Sequence, residues 1–205
     1  MKVKRLHTGQ MEVNTYYVLD EATNTGFIVD PGGYDASLTK LIKENNVTIP
    51  YIILTHGHHD HTGGVNAFMK QFPDAELVAS KYEKEMLADA NANFSKYFGQ
   101  PLSFEADVYV DDGDVLNVGE LELKFYHTPG HTPGGMCIHV NNCLFSGDTL
   151  FRQSIGRTDF PGSSFAQLKK AIHEKLFVLP EDTRVLPGHM DETEIGLEKR
   201  KNPFV

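Results

Sequence analysis

The run Thr55-His56-Gly57-His58-His59-Asp60-His61 holds four side chains of metal-ligand type within six positions, His56, His58, Asp60 and His61. His56 and His58 stand two apart, so in an extended segment both imidazoles face the same way. Asp60 and His61 come after a turn of the chain and face a second point. Further along, single residues of the same kind follow apolar stretches: His131 after the strand pattern near 121–127, Asp148 after Leu144-Phe145, and His189 after Val185-Leu186. Cations such as Zn²⁺ take imidazole nitrogen and carboxylate oxygen at about 2.0–2.2 Å. These five histidines and two aspartates suffice for two ions. His56, His58 and His131 would hold one, Asp60, His61 and His189 the other, with Asp148 between them. Two ions about 3.5–4 Å apart share a water and lower its pKa from about 15.7 toward neutrality. The product is a bridging hydroxide, a nucleophile for an ester, thioester, lactam or phosphoester, with Asp60 and Asp148 as candidate catalytic carboxylates. A solvated polar face does not explain so dense a cluster directly after an apolar strand and before Gly63-Gly64. His7, His139 and His173 stand alone and read as ordinary surface or structural histidines.

Rigid elements must carry these residues. Strand patterns cover 12–19 and 27–29, and Asp30-Pro31-Gly32-Gly33 is a turn. Asp35 can cap a helix over about 36–45, with Leu38, Leu41 and Ile42 at spacings of three and four. Tyr51-Ile52-Ile53-Leu54 is a continuous apolar run, typical of a strand buried on both faces. Helical stretches are expected at 65–72 and 81–89, a short strand at 77–79, and a long polar connection at 90–106. Strands follow at 107–111, 115–118 and 121–127, then a hairpin at 136–147 turning at Asn141-Asn142. A helix at 165–176, a strand at 184–186 and a final helix at 191–201 complete the chain. Four strand ends thus each deliver a ligand-type residue, and strand ends are held by the core. Strands and helices followed by strands and helices again suit two sheets packed face to face with helices outside.

The 205 residues suit one domain, and no linker or low-complexity segment divides residues 1–205. A formal net charge of −9 argues against general affinity for nucleic acid or anionic membrane. No apolar stretch approaches the about 20 residues of a membrane span. Met1-Lys2-Val3-Lys4-Arg5 has basic residues but no apolar region follows, so a signal peptide is not expected and a cytoplasmic protein is. Cys137 and Cys143 fall on the two arms of the hairpin. If Val140 pairs Cys143, the thiols do not face each other, and they read as buried thiols of a reducing compartment.

The motifs resemble a known superfamily. Thr55-His56-Gly57-His58-His59-Asp60-His61 is similar to the T-H-x-H-x-D-H signature of metallo-β-lactamase-fold proteins, with His59 at its variable position. His131 in His127-Thr128-Pro129-Gly130-His131, Asp148 in Phe145-Ser146-Gly147-Asp148-Thr149, and Pro187-Gly188-His189 resemble its later motifs, in order. The resemblance implies an α+β fold, a four-layer αββα sandwich with two divalent metal ions at one edge. Zn²⁺ is the expected metal, and the same donors accept Fe or Mn. Within the superfamily, Phe151-Arg152-Gln153-Ser154-Ile155-Gly156-Arg157-Thr158-Asp159-Phe160-Pro161-Gly162 and the ending 193–204 resemble the small bacterial glyoxalase II-like group. That implies a thioesterase acting on S-lactoylglutathione or a related small-molecule thiol ester, as a monomer or homodimer. Two departures bear on the substrate. Too few residues follow His189 for the C-terminal helical domain of full-length glyoxalase II, and Gly156-Arg157-Thr158-Asp159 stands where that enzyme carries a Gly-Lys-Phe-Tyr-like segment.

Arg157 is the candidate substrate-binding residue: its guanidinium could hold a carboxylate bidentately, or it could pair with Asp159. Tyr82, Phe94 and Tyr97 are aromatic residues that could line a pocket or fill core and surface. Asp30 resembles a position near the metal edge of this fold, where it could hydrogen-bond a ligand histidine or simply set the turn. His59 and His127 fall outside the ligand set. A persulfide dioxygenase is the alternative, since those enzymes share the fold and a similar Gly-Arg-Thr-Asp-Phe segment. They use one Fe(II) on two histidines and an aspartate, here His56, His131 and Asp148. Another esterase, lactonase or phosphodiesterase of the fold is a second alternative. The acidic charge speaks against a nucleic-acid processing enzyme.

Overall fold

A computed structural model describes residues 1–205. The first half contains β1 (Lys2–Thr8), β2 (Val13–Asp20), β3 (Thr25–Val29), α1 (Ala36–Glu44), β4 (Thr48–Ile53), α2 (His59–Thr62), α3 (Val65–Gln71), β5 (Glu76–Ser80), α4 (Lys84–Ala88) and β6 (Val108–Val110). The second half contains β7 (Val115–Val118), β8 (Leu121–His127), β9 (Met136–Val140), β10 (Cys143–Gly147), β11 (Leu150–Phe151), β12 (Ser154–Ile155), α5 (Phe165–Ala171), β13 (Arg184–Pro187), β14 (Thr193–Glu194) and α6 (Ile195–Lys201). Six strands form one sheet in the order β1-β2-β3-β4-β5-β6, and six form another in the order β14-β13-β10-β9-β8-β7. β11 and β12 make a separate hairpin.

Alternation along the strands decides the layers. Tyr16, Val18, Phe27, Val29, Ile53 and Val78 of the first sheet meet Ile138, Val140, Phe145 and Leu186 of the second in one core between the sheets. Their neighbours Tyr17, Ile28, Ile52 and Leu77 face the other way, onto Leu38 and Ile42 of α1 and Phe68 of α3. In the second sheet Cys137, Leu144 and Val185 face outward onto Leu168 of α5 and Ile195 of α6. Helix, sheet, sheet and helix therefore stack as the four-layer αββα sandwich. A one-residue slip in any central strand would exchange the two cores, so register is strongly specified.

Strand direction matters for the site. β3, β4 and β5 are mutually parallel. In the second sheet β8 and β10 are each antiparallel to β9, and β10 is parallel to β13. The carboxyl ends of β3 and β4, and those of β8, β10 and β13, consequently come out along the same edge of the sandwich.

Several local expectations hold. Asp35 Oδ1 accepts from the Leu38 N–H at 2.7 Å and caps α1. Val140 pairs Cys143, and the two thiols are free and buried, on opposite faces of their sheet. Other expectations are corrected. β1 falls outside the strand patterns, because an edge strand of sequence KVKRLHT exposes Lys2, Lys4 and His7 and lacks an apolar stripe. The segment 81–89 opens as a 3₁₀ turn before α4. The final helix begins at Ile195, because Thr193 and Glu194 pair with β13 instead. No helix is long and apolar enough to cross a membrane.

Phe145 joins the sheets most directly. Its ring is 1% exposed and meets Tyr16 and Phe27 edge-on at centroid distances of 5.3 and 6.2 Å. Phe145→Ala is expected to cost about 3–5 kcal/mol in a urea titration. A loss below about 1 kcal/mol would mean that this ring does not join the sheets.

Candidate metal centre and cleft

The sequence-selected residues meet at that edge. His56 and His58 lie in the loop after β4, and Asp60 and His61 on α2 directly behind it. His131 lies in the loop after β8, Asp148 immediately after β10, and His189 just past β13. Their donor atoms form three overlapping groups, each within 4.8 Å: His56, His58 and His131; His56, His61 and Asp148; Asp60, His61 and His189. Asp148 spans the two halves. Its Oδ1 is 3.4 Å from His61 Nε2, and its Oδ2 is 3.5 Å from His131 Nε2 and 3.9 Å from His189 Nε2. His59 and His127 stay outside these groups. His59 stacks on Phe98, and His127 stacks on Tyr82 while its Nε2 donates to the Pro133 carbonyl.

Backbone geometry permits this approach at two glycines. Gly147 has φ +48°, and a Cβ there would stand 2.3 Å from Thr55 Oγ1. At Gly188 a Cβ would come within 2.6 Å of both Asp148 Oδ1 and the His61 ring. Side chains at either position would push the second-sheet loops away from the histidine run.

A shell of hydrogen bonds sets the imidazole tautomers. Asp30, itself at φ +48° and 2% exposed, accepts from the Thr55 N–H at 2.7 Å and the Thr55 hydroxyl at 2.6 Å. His61 Nδ1 donates to the same carboxylate at 2.9 Å, the contact expected for Asp30. Since the Thr55 hydroxyl donates to Asp30, it accepts from His56 Nδ1 at 3.2 Å. His131 Nδ1 donates to the Arg157 carbonyl at 2.8 Å. His56, His61 and His131 therefore all turn Nε2 to the centre, where His131 Nε2 accepts from His58 Nδ1 at 3.0 Å. That is the role outer partners play for ligand histidines.

The charges at the site call for a cation. Burial holds His56 well below the ordinary histidine range, and the neighbouring His61, His58 and His131 add to it. Burial, then His131, push His58 down to about 3. Burial opposes a charged His61, yet Asp60, Asp30 and Asp148 hold its proton well above the usual range. Burial likewise opposes ionisation of Asp60 and Asp148, but His61 and its neighbours keep both carboxyls below the ordinary value. The lone pairs of His56 and His58 beside ionised carboxylates belong to the donor set of a divalent metal, which would take the place of the His61 proton. The fit is also visible in what lacks a partner. His56 Nε2, His61 Nε2 and Asp148 Oδ1 are buried with no hydrogen bond, and all three face the centre. A buried polar atom left this way costs about 1–3 kcal/mol, which a metal ion would offset.

Glu83 was not singled out by the sequence. It sits 1% exposed in the 3₁₀ turn before α4. Its Oε2 accepts from the Gly57 N–H and its Oε1 from the Gly134 N–H, both at 2.7 Å. One carboxylate thus ties the His56–His61 loop to the loop that carries His131.

Above the donors opens a cleft of about 500 Å³. Phe94 lies 5.0 Å from the His58 ring and 5.2 Å from Phe160, which in turn lies 5.8 Å from His131. Tyr97, Phe98, Phe151 and Met11 complete its apolar wall. Phe94 and Tyr97 of the anticipated aromatic residues line it, and Tyr82 is not among its lining residues. Arg157 borders the cleft, but its guanidinium is paired bidentately with Asp159 at 2.9 and 2.8 Å.

A αββα sandwich with this constellation at one edge defines a class. The family profile described as metallo-beta-lactamase superfamily matches residues 8–189, and the chain belongs to that superfamily of metallo-hydrolases. Curated relatives include the probable metallo-hydrolase YqgX of Bacillus subtilis, 36% identical over 100% of this chain and 98% of that one. The hydroxyacylglutathione hydrolase GloC of Haemophilus influenzae is 33% identical over 100% and 98%. Among solved structures, BLEG-1 B3 metallo-beta-lactamase superposes with TM-score 0.90 at 35% identity, covering 99% of each chain. ETHE1 from Myxococcus xanthus gives 0.80 at 30%, covering 99% of this chain and 84% of that one. TTHA1623 in a di-iron-bound form gives 0.85 at 29%, covering 98% and 100%.

Glu83→Gln keeps the size of the side chain but leaves one carbonyl oxygen for two glycine N–H groups. Metal affinity measured by chelator competition should fall about 10–100-fold. Unchanged affinity would show that the two loops hold their places without this carboxylate.

Proposed function

We propose that this chain is a dinuclear metal-dependent hydrolase of thiol esters, of the glyoxalase II-like kind, acting on S-lactoylglutathione or a related thiol ester. The observation that carries the reading is the position of Asp148, whose two oxygens reach separately toward His61 and toward His131 and His189. A carboxylate so placed suits two ions side by side: His56, His58 and His131 would hold one, and Asp60, His61 and His189 the other. The di-iron form of TTHA1623 and the hydrolase name of GloC support the same reading. When bound, such ions lower the pKa of water and polarise a carbonyl; Zn²⁺ suits the donors, and Fe or Mn are accepted by them.

The chain's own residues supply the rest. The cleft seats the acyl group against Phe94 and Phe160. Asp60, ionised and facing the cleft with Oδ2 3.1 Å from His189 Nε2, accepts a proton as the water oxygen bonds to the acyl carbon. It returns that proton to the sulfur as the C–S bond breaks. One water is consumed, and a carboxylic acid and a thiol leave.

The likeness to ETHE1 keeps a second reading in view: His56, His131 and Asp148 as a facial triad for one Fe(II) in a persulfide dioxygenase. The name of BLEG-1 adds a β-lactam to the substrates worth assaying. Metal-loaded protein is expected to carry two ions per chain and to cleave thioesters with no oxygen uptake at an electrode. His58→Ala should lower kcat/KM at least about 100-fold. One metal per chain, oxygen uptake with glutathione persulfide and no thioester cleavage would overturn the reading.

A further inference from the structure

The cleft has an uneven chemistry that the hydrolytic reading leaves unused. Arg157 is the one Lys or Arg among its lining residues. That guanidinium is already satisfied three ways. Nε and Nη2 donate to the two oxygens of Asp159, and the plane lies over the Phe160 ring, 4.3 Å from its centroid. Asp159 is only two residues away, so displacing it would leave a second negative charge beside the newcomer. An exposed ion pair of this kind is worth about 0–1 kcal/mol, and the gain from exchanging its carboxylate for another is no larger. With a formal net charge of −9, the chain as a whole adds no attraction for anions.

The walls point the other way. Tyr97 is 73% exposed, Met11 52% and Phe98 37%, all lining the cleft. Large apolar groups left in water around a concave site mark a surface that a ligand covers. Phe94 and Phe160 continue the apolar wall down to the His58 and His131 rings. From donors to rim, a substrate meets aromatic faces and a neutralised cation.

Of the substrates that the thioester reading admits, we infer that the site selects the related thiol ester over S-lactoylglutathione: the recognition group is apolar and uncharged, an aryl or branched-alkyl acyl group carried on a neutral thiol, and not a thiol bearing free carboxylates such as glutathione. The Arg157–Asp159 pair is then a wall that withholds charge recognition, and Arg157 contributes to the centre through its carbonyl on His131. This inference rests on the thioester reading of the same site.

The test compares three substrates on the metal-loaded full chain: S-phenylacetyl-N-acetylcysteamine, S-phenylacetylglutathione and S-lactoylglutathione. The first should exceed the second in kcat/KM at least tenfold, which compares a small neutral carrier with one bearing carboxylates. The second should exceed the third, which isolates the aromatic acyl group. Tyr97→Ala, at a position 73% exposed, should raise KM for the first several-fold. Asp159→Asn frees the guanidinium and should shift the ratio at least fivefold toward the glutathione carrier. Equal or better cleavage of S-lactoylglutathione, with an unchanged ratio in Asp159→Asn, would overturn the inference and leave thioester hydrolysis intact. Cleavage of none of the three would overturn the thioester reading itself, and the inference with it.

Discussion

An imidazole nitrogen or carboxylate oxygen removed from water and left without a partner costs about 1–3 kcal/mol. At the edge where the two sheets meet, His56 Nε2, His61 Nε2 and Asp148 Oδ1 are all in that state. Proteins rarely concentrate such atoms without a compensating charge. The surrounding structure is arranged to produce the concentration and not to relieve it. Asp30 holds His61 directly and His56 through the Thr55 hydroxyl. The Arg157 carbonyl holds His131. Each of these bonds uses the outward nitrogen and leaves the inward one facing the centre.

That arrangement depends on the sandwich. Two sheets packed through Tyr16, Phe27 and Phe145 bring the carboxyl ends of β3, β4, β8, β10 and β13 to one edge, where loops from both sheets interleave. The Met136 N–H donates to the Thr55 carbonyl, and the Gly188 N–H to the Gly147 carbonyl. Glu83 ties the two loops again from below. A shift of one sheet against the other would separate Asp148 from the His56–His61 run. Core packing and the metal centre are thus linked: the first fixes the distances that the second needs.

Much of this was legible in the residues. The ligand types cluster after apolar runs, and the β-branched and aromatic residues of stretches such as Tyr16 to Leu19 indicate strands. The register around Asn141-Asn142 could be read because a two-residue turn leaves little choice. What was not legible has physical reasons. β1 is a charged edge strand whose pattern resembles a polar leader. Glu83 stands in Lys81-Tyr82-Glu83-Lys84-Glu85, where nothing local distinguishes its burial from the exposure of Glu85. Its role exists only once two distant loops arrive beside it. Arg157 offered two partners in the sequence, and the local geometry of Arg157-Thr158-Asp159 took the nearer one. Phe160 and Phe98 look like any aromatic residues of a loop until the cleft is formed.

The central claim is that seven side chains from four strand ends form one dinuclear centre. Anomalous diffraction from crystals of the metal-loaded protein, collected at the absorption edge of the bound metal, tests it directly. The account predicts two peaks: one among His56, His58 and His131, the other among Asp60, His61 and His189, with Asp148 adjacent to both. A single peak, or peaks bound by other residues, would contradict it.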